Sequence, residues 1–170
     1  MSLIGRSFDE SDIHPQRSAC AGSDVVMNTS VLSIFPFDVE CKKGNSTTLE
    51  QAYVQSAKRC PDHLRPLVIL EPDRKKAVVF GKEDDLFSSA DDDLFVAYGN
   101  EETFNLVKRK RRNKTSLYDL WYPMYKKHEG AALFTTNPLC EPDKDPEELS
   151  TFVQMEFNFW VKLWCEKLVE

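Results

Sequence analysis

The sequence predicts an α/β domain, at the border with α+β, in which helices flank a mixed central sheet and a C-terminal helix follows. Short apolar runs at 67–70 and 77–80 are typical of buried strands. A capping-box pattern predicts a helix over 48–59, between the apolar run at 37–42 and the next strand. The 170 residues suit one domain of this class.

The expected elements follow from periodicity and from turn residues. Residues 1–23 are polar and aperiodic, and residues 24–43 predict two or three strands with turns near Asn28 and Pro36. After the helix over 48–59, the prediction is a strand at 67–70, a strand at 77–80, a short helix or turn at 82–89, a strand at 93–98, a helix over 116–128 kinked at Pro123, a strand at 131–134 and a Pro-rich linker at 137–146.

The C-terminal segment predicts a helix over 146–168. Its apolar stripe consists of Leu149, Val153, Phe157, Trp160, Trp164 and Leu168. Pro146 and the acids after it are typical of a helix N-terminus. We interpret this aromatic face as core, and the alternative is a homodimer interface.

The net charge of −6 hides a segregated distribution. Acidic runs occupy 83–85 and 91–93. The positive run consists of Lys108, Arg109, Lys110, Arg111, Arg112 and Lys114. We interpret it as a loop that contacts nucleic-acid phosphates. The alternatives are a nuclear-localisation signal and a flexible loop that pairs with the acidic runs.

Several function classes find no support in the sequence. No segment approaches the ~20 apolar residues of a membrane span, and the N-terminus does not resemble a signal peptide. We therefore expect a soluble intracellular protein, cytoplasmic, or nuclear in a eukaryotic or viral host. The five cysteines are odd in number and widely spaced, which argues against a disulfide framework. They lack a CxxC pair, which argues against a structural zinc site.

The strand at 37–42 contains most of the candidate catalytic residues. Alternation places Asp38, Glu40 and Lys42 on one face of an otherwise apolar strand. Buried carboxylates are costly unless they are paired or bind a metal. If the run after Asp24 pairs with this strand, Asp24 and Glu40 converge on one cation. The alternative is a solvated strand face with cross-strand ion pairs.

The pattern Ser23-Asp24, fifteen residues, Glu40-Cys41-Lys42 resembles the PD-(D/E)XK nuclease signature. The order of the elements that follow is also similar to this superfamily, and the resemblance covers residues 17–90. It implies a restriction-endonuclease-like fold, as in small phage or archaeal Holliday-junction-resolvase-like nucleases. Ser23 stands where the family usually has proline.

The resemblance implies a Mg²⁺- or Mn²⁺-dependent endonuclease that acts on DNA. Asp24 and Glu40 would hold the metal with the carbonyl of Cys41, and Lys42 would orient the attacking water. Gln51 would be a polar helix residue near the site. The chain would be one domain, 1–170, with a motif-bearing core at 17–90, a variable region with the basic run at 91–145 and the C-terminal helix at 146–170.

Two other function classes remain open from the sequence. One is a non-catalytic nucleic-acid-binding module of the same fold, which depends on the basic run. The other is a protein-interaction domain that docks through Trp160 and Trp164.

Overall fold

The computed structural model describes residues 2–3, 6–7, 9–16, 22–44, 48–87 and 116–167. The helices and strands are, in chain order, β1 (Ser2–Leu3), β2 (Arg6–Ser7), β3 (Ile13–Pro15), β4 (Val25–Met27), α1 (Thr29–Leu32), β5 (Phe37–Lys43), α2 (Leu49–Arg59), β6 (Arg65–Glu71), β7 (Val78–Lys82), α3 (Glu83–Leu86), α4 (Leu117–Tyr125), β8 (Leu133–Thr136), a 3₁₀ turn (Pro146–Glu148), β9 (Thr151–Glu156) and α5 (Phe157–Lys167).

A five-stranded mixed sheet forms the centre of the fold, with the strand order β5-β6-β7-β9-β8. Strands β5 and β6 are parallel, and the other neighbouring pairs are antiparallel. Two short antiparallel pairs, β1 with β2 and β3 with β4, lie outside this sheet. The structure therefore confirms the predicted α/β class with a mixed sheet.

Helix α2 makes the parallel crossover from β5 to β6. Its N-cap, Thr48, accepts a hydrogen bond from the backbone N–H of Gln51, and the Gln51 side chain accepts one from the Thr48 N–H. The helix ends where Cys60 adopts an extended conformation just before Pro61. Because it joins two parallel strands, α2 runs back along the sheet, and its last residue returns to the start of β5.

Apolar side chains cover both faces of the sheet. One face packs against α2 and α4, around Tyr53, Phe80 and Trp121. The opposite face packs against α5, around Phe37, Val153 and Trp160. The sheet is thus the middle of three layers, an arrangement that buries central strands on both sides.

The predicted helix over 146–168 is wrong in its first half. Residues 146–148 form the 3₁₀ turn, and β9 then pairs with β7 on one side and β8 on the other. Leu149 and Val153 continue the helical spacing of the apolar residues in α5, which made the segment look helical, and Gln154 and Glu156 are polar residues within the strand. They are buried because β9 is an inner strand covered on both faces. The helical prediction is confirmed for Phe157–Lys167; Leu168 lies outside the described residues.

The strand expected at 31–35 is also wrong. The Asn28 side chain accepts a hydrogen bond from the Val31 N–H at 3.0 Å and caps the one-turn helix α1. This local capping outweighs the β-propensity of the apolar residues that follow. The N-terminal segment, expected to be irregular, contributes β1, β2 and β3.

The remaining predictions agree with the structure where it describes the chain. Strands β6, β7 and β8 and helices α3 and α4 lie within three residues of their expected bounds, and Pro123 lies inside α4. The strand expected at 93–98 and residues 88–89 fall outside the described residues. Across the described ranges, no helix combines the length and apolarity that a membrane crossing requires.

Trp160 packs α5 against the sheet. It is fully buried, and its ring lies 5.7 Å from that of Phe37 and 5.9 Å from that of Phe35. We expect Trp160→Ala to lower the free energy of unfolding by about 3–5 kcal/mol. Trp160→Phe should cost clearly less, since a ring remains and the indole Nε1 has no hydrogen-bond partner among the described residues. Equal losses in urea unfolding would contradict this packing role.

Glu141 ties the loop before β9 to the sheet. Its carboxylate accepts hydrogen bonds from Lys82 at 2.9 Å, Lys144 at 3.0 Å and the Ser150 N–H at 2.8 Å. Burial alone raises the pKa of Glu141, but the bonds from Lys82, Ser150 and Lys144 outweigh burial and lower the pKa to about 2. Ionised Glu141 therefore stabilises the folded chain.

This stabilisation should depend on pH. The folded-state pKa lies below the unfolded value of about 4.3, so the contribution is complete above that value and is lost as the pH falls towards 2. We expect Glu141→Gln to lower the free energy of unfolding by about 1–3 kcal/mol at neutral pH. The difference from the native protein should shrink near pH 3. A difference that stays constant, or that the exposed-site control Glu147→Gln reproduces, would refute the linkage.

Candidate active site

The outer edge of β5, opposite β6, carries the segment that ends in Asp24. The Asp24 N–H donates to the carbonyl of Val39 at 2.8 Å. The Ser23 hydroxyl accepts a hydrogen bond from the Val39 N–H and donates one to the Val39 carbonyl, both at 3.0 Å. The Cys41 N–H donates to Asp24 Oδ2 at 2.7 Å. The structure thus brings Asp24 to the motif strand.

The carbonyl of Cys41 lies along this same edge. The N–H and C=O of one residue in an extended strand point to the same side, and the Cys41 N–H points at Asp24. Desolvation raises the pKa of the Cys41 thiol, the negative charges of Asp24 and Glu40 raise it further, and Lys42 lowers it. The charged groups of the motif therefore surround one short stretch of β5.

Asp24 is half-buried at this edge. Within the described part of the chain, no lysine or arginine forms an ion pair with it. Its one side-chain hydrogen bond there comes from the Cys41 backbone. A carboxylate in this position is suited to bind a cation from solution.

Asp38 and Glu40 lie on the face of β5 that α2 covers. They are 3% and 1% exposed, so the solvated strand face considered as an alternative is not what the structure shows. Glu40 stands in register with Val68, which in turn stands opposite Phe80. Two carboxylates in such apolar surroundings require positive charges close by.

Lys42 and Arg59 supply those charges. The Lys42 ammonium pairs with Glu40 Oε1, and Arg59 Nη2 pairs with Glu40 Oε2. Arg59 Nε lies 3.5 Å from Asp38 Oδ2. Among the described residues, Asp38 Oδ2 and Glu40 Oε2 accept no regular hydrogen bond, so these ion pairs compensate their burial.

The sequence analysis missed Arg59, although a signal was present. Ala52, Ser56 and Arg59 recur at helical spacing, and the first two are fully buried on the sheet-facing side of α2. A cation on that side at the end of a crossover helix falls over the start of the preceding strand. The helix pattern therefore pointed Arg59 at Asp38.

Gln51 is placed differently from the other candidates. It lies in the first turn of α2, it is exposed, and its side chain completes the capping box with Thr48. No described contact joins it to Asp24, Glu40 or Lys42. A role for Gln51 in the site stays a prediction.

The donor set fits a hard divalent cation. Asp24 and Glu40 offer carboxylate oxygens and Cys41 offers a carbonyl oxygen, the ligand chemistry that Mg²⁺ and Mn²⁺ prefer. In the ranges that the structure describes, no three His, Cys, Asp or Glu side chains are grouped to hold a metal. The candidate set instead combines two side chains with one backbone group, and Glu40 must release a cationic partner to join it.

Two further predictions concern the basic run and the aromatic face of α5, and the structure describes the second. Lys108, Arg109, Lys110, Arg111, Arg112 and Lys114 lie outside the described residues. On α5, Trp160 packs inside the chain, which agrees with the core interpretation. Its ring is therefore not available to a dimer contact, and a homodimer through α5 stays a prediction.

Comparison with known proteins adds no family assignment: no family model, no curated protein and no solved structure matches the chain.

The Ser23 bridge should hold Asp24 against β5. Ser23→Ala removes the two partly buried hydrogen bonds between the Ser23 hydroxyl and the Val39 backbone. We expect the free energy of unfolding to fall by about 1–3 kcal/mol. Hydrogen exchange at the Val39 amide should become faster in the same variant. Ser33→Ala is the matched control, because the Ser33 hydroxyl is exposed and bonds to the nearby Ser30 carbonyl. Unchanged protection at Val39 would show that Ser23 does not hold this edge.

Proposed function

We propose that this protein is a metal-dependent nuclease that hydrolyses phosphodiester bonds of nucleic acid, with DNA as its substrate. One observation carries the proposal: Asp24 is held on the backbone of Cys41, between Glu40 and Lys42 of the motif strand. Glu40 and Lys42, sixteen and eighteen positions after Asp24 in sequence, thus flank the backbone group that Asp24 binds. The resemblance to PD-(D/E)XK nucleases requires this meeting, which motif spacing alone does not ensure.

The proposed ligands of the metal are the carboxylates of Asp24 and Glu40 and the carbonyl of Cys41. A bound Mg²⁺ would supply Lewis-acid stabilisation of the phosphate and activation of a water molecule. The chain's own part is to hold the ligands in place. The β5 backbone positions Asp24, and the packing of α2 on the sheet positions Glu40.

Lys42 is the proposed positioning group for water and phosphate. Its ammonium pairs with Glu40, which fixes the side chain, while 26% of the side chain remains exposed. A positive charge held in this way is suited to orient water and to stabilise charge that develops on a phosphate oxygen. The basic run at 108–114 would add contacts to the nucleic-acid backbone.

A second candidate function is a non-catalytic nucleic-acid-binding domain. The observation that favours it is the engagement of both Glu40 oxygens by Lys42 and Arg59. If these ion pairs are permanent, Glu40 does not bind a metal and the motif serves only to stabilise the crossover. Binding would then depend on the basic run and would weaken steeply with salt.

Cleavage of labelled DNA tests the proposal. Duplex, branched and single-stranded substrates are incubated with Mg²⁺ or Mn²⁺, with EDTA as the metal-free control. We expect metal-dependent cleavage by the native protein and a loss of about a hundredfold or more in Glu40→Gln, which removes a ligand charge and keeps the side-chain shape. Glu129→Gln, at an exposed loop carboxylate, should cleave at the native rate.

The outcomes separate the two candidates. Cleavage that survives Glu40→Gln would place the activity elsewhere or in a contaminant. Salt-sensitive DNA binding without cleavage, unchanged in Glu40→Gln, would favour the non-catalytic domain. Absence of both cleavage and binding would refute both candidates.

A further inference from the structure

The charges beneath α2 balance before any metal is added. Asp38 and Glu40 contribute two negative charges, and Lys42 and Arg59 contribute two positive charges. Each Glu40 oxygen faces one of the cations. A divalent cation on Glu40 would therefore enter a group that is already neutral, and repulsion would expel one of the resident cations.

Arg59 is better placed to leave Glu40 than Lys42. The Arg59 guanidinium spans two carboxylates, with Nη2 on Glu40 and Nε 3.5 Å from Asp38 Oδ2. It has a second partner to keep when the first is taken. In the described part of the chain, the Lys42 ammonium has only Glu40 as an ion-pair partner.

Arg59 lies beside a pocket and close to its second carboxylate partner. Asp38 and Arg59 both line a pocket of about 260 Å³ next to β4. Its other walls include Phe37 and Leu64, and Arg59 Nε and Nη2 are buried beside them. The Arg59 side chain is 24% exposed, and Nε already lies 3.5 Å from Asp38 Oδ2, so closer pairing with Asp38 needs only a small movement of the guanidinium.

We propose that Arg59 is a built-in countercation that competes with the divalent metal for Glu40, and that Asp38 is the carboxylate that receives Arg59 when the metal binds. This inference rests on the proposed metal-dependent function. It gives roles to two residues that the nuclease signature does not use. Arg59 acts through Glu40 and is a positioning residue.

Metal affinity measured without DNA tests this competition. Free Mn²⁺ is followed by electron paramagnetic resonance during titration of the whole protein. We expect Arg59→Gln to bind Mn²⁺ about tenfold tighter or more, since the competing charge is gone. Arg59→Lys keeps the charge and should bind close to the native affinity. Lys58→Gln removes an exposed charge next to Arg59 on α2 and should change affinity little, because solvent and salt screen it.

A double-mutant cycle isolates the role of Asp38. Asp38→Asn should weaken Mn²⁺ binding, because Arg59 then remains on Glu40. In the Arg59→Gln background the same change should have a much smaller effect. The double variant also removes one charge of each sign, so it keeps the test possible if Arg59→Gln alone fails to fold. Arg59→Gln is then compared within the Asp38→Asn background, where it should still tighten binding.

The outcomes are distinct from those of the cleavage assay. Mn²⁺ affinity that is unchanged or weaker in folded Arg59→Gln would overturn the competition, and so would an Asp38→Asn effect that is equal in both backgrounds. Tighter binding without DNA cleavage would support the competition while refuting the nuclease function. A native protein and variants that all bind no Mn²⁺ would overturn both.

Discussion

The structure depends on the burial of two carboxylates on one strand face beneath a crossover helix. Asp38 and Glu40 point away from water into a layer made of apolar side chains. Such a placement is tolerated only where positive charge reaches it. Helix α2 must therefore be long enough for Arg59 to return over β5, and β5 must keep its register with β6 so that Glu40 lies under the helix. The length of α2 is therefore tied to the charge balance, because a helix of different length would not place Arg59 over Asp38 and Glu40.

The candidate site has two parts, the face of β5 that α2 covers and the outer edge of β5. On the covered face, each charge has a partner of opposite sign. On the outer edge of β5, Asp24 stands half-buried beside the Cys41 backbone with its charge uncompensated by described side chains. Glu40 lies on the covered face, but its partners Lys42 and Arg59 are partly exposed to solvent. In the proposed function, an ion at the edge would take ligands from both parts.

The sequence predicted the elements whose signal is local. The Thr48–Gln51 capping box and the alternation along β5 each require only a few neighbouring residues, and both were confirmed. Strand β9 was mistaken for helix because Leu149 and Val153 extend the helical spacing of the apolar residues in α5, and its pairing with β7 and β8 depends on residues far away in sequence. Arg59 was missed for a related reason: its partners lie on another element, and their proximity follows from the path of α2. The sequence analysis expected Asp24 to reach β5 through pairing of the strand that follows it, but that strand, β4, pairs with β3. Asp24 reaches β5 through its own bonds to the backbone of Val39 and Cys41, which motif spacing does not predict.

The way Asp24 is held has a consequence for the solution behaviour of the chain. Strand β5 is an edge strand, and an open edge offers unpaired N–H and C=O groups to any extended segment of another molecule. Ser23 and Asp24 occupy these groups at Val39 and Cys41 by side-chain and irregular backbone bonds, which do not continue as a ladder. Ser23 and Asp24 therefore blunt this edge of the sheet against strand addition and aggregation.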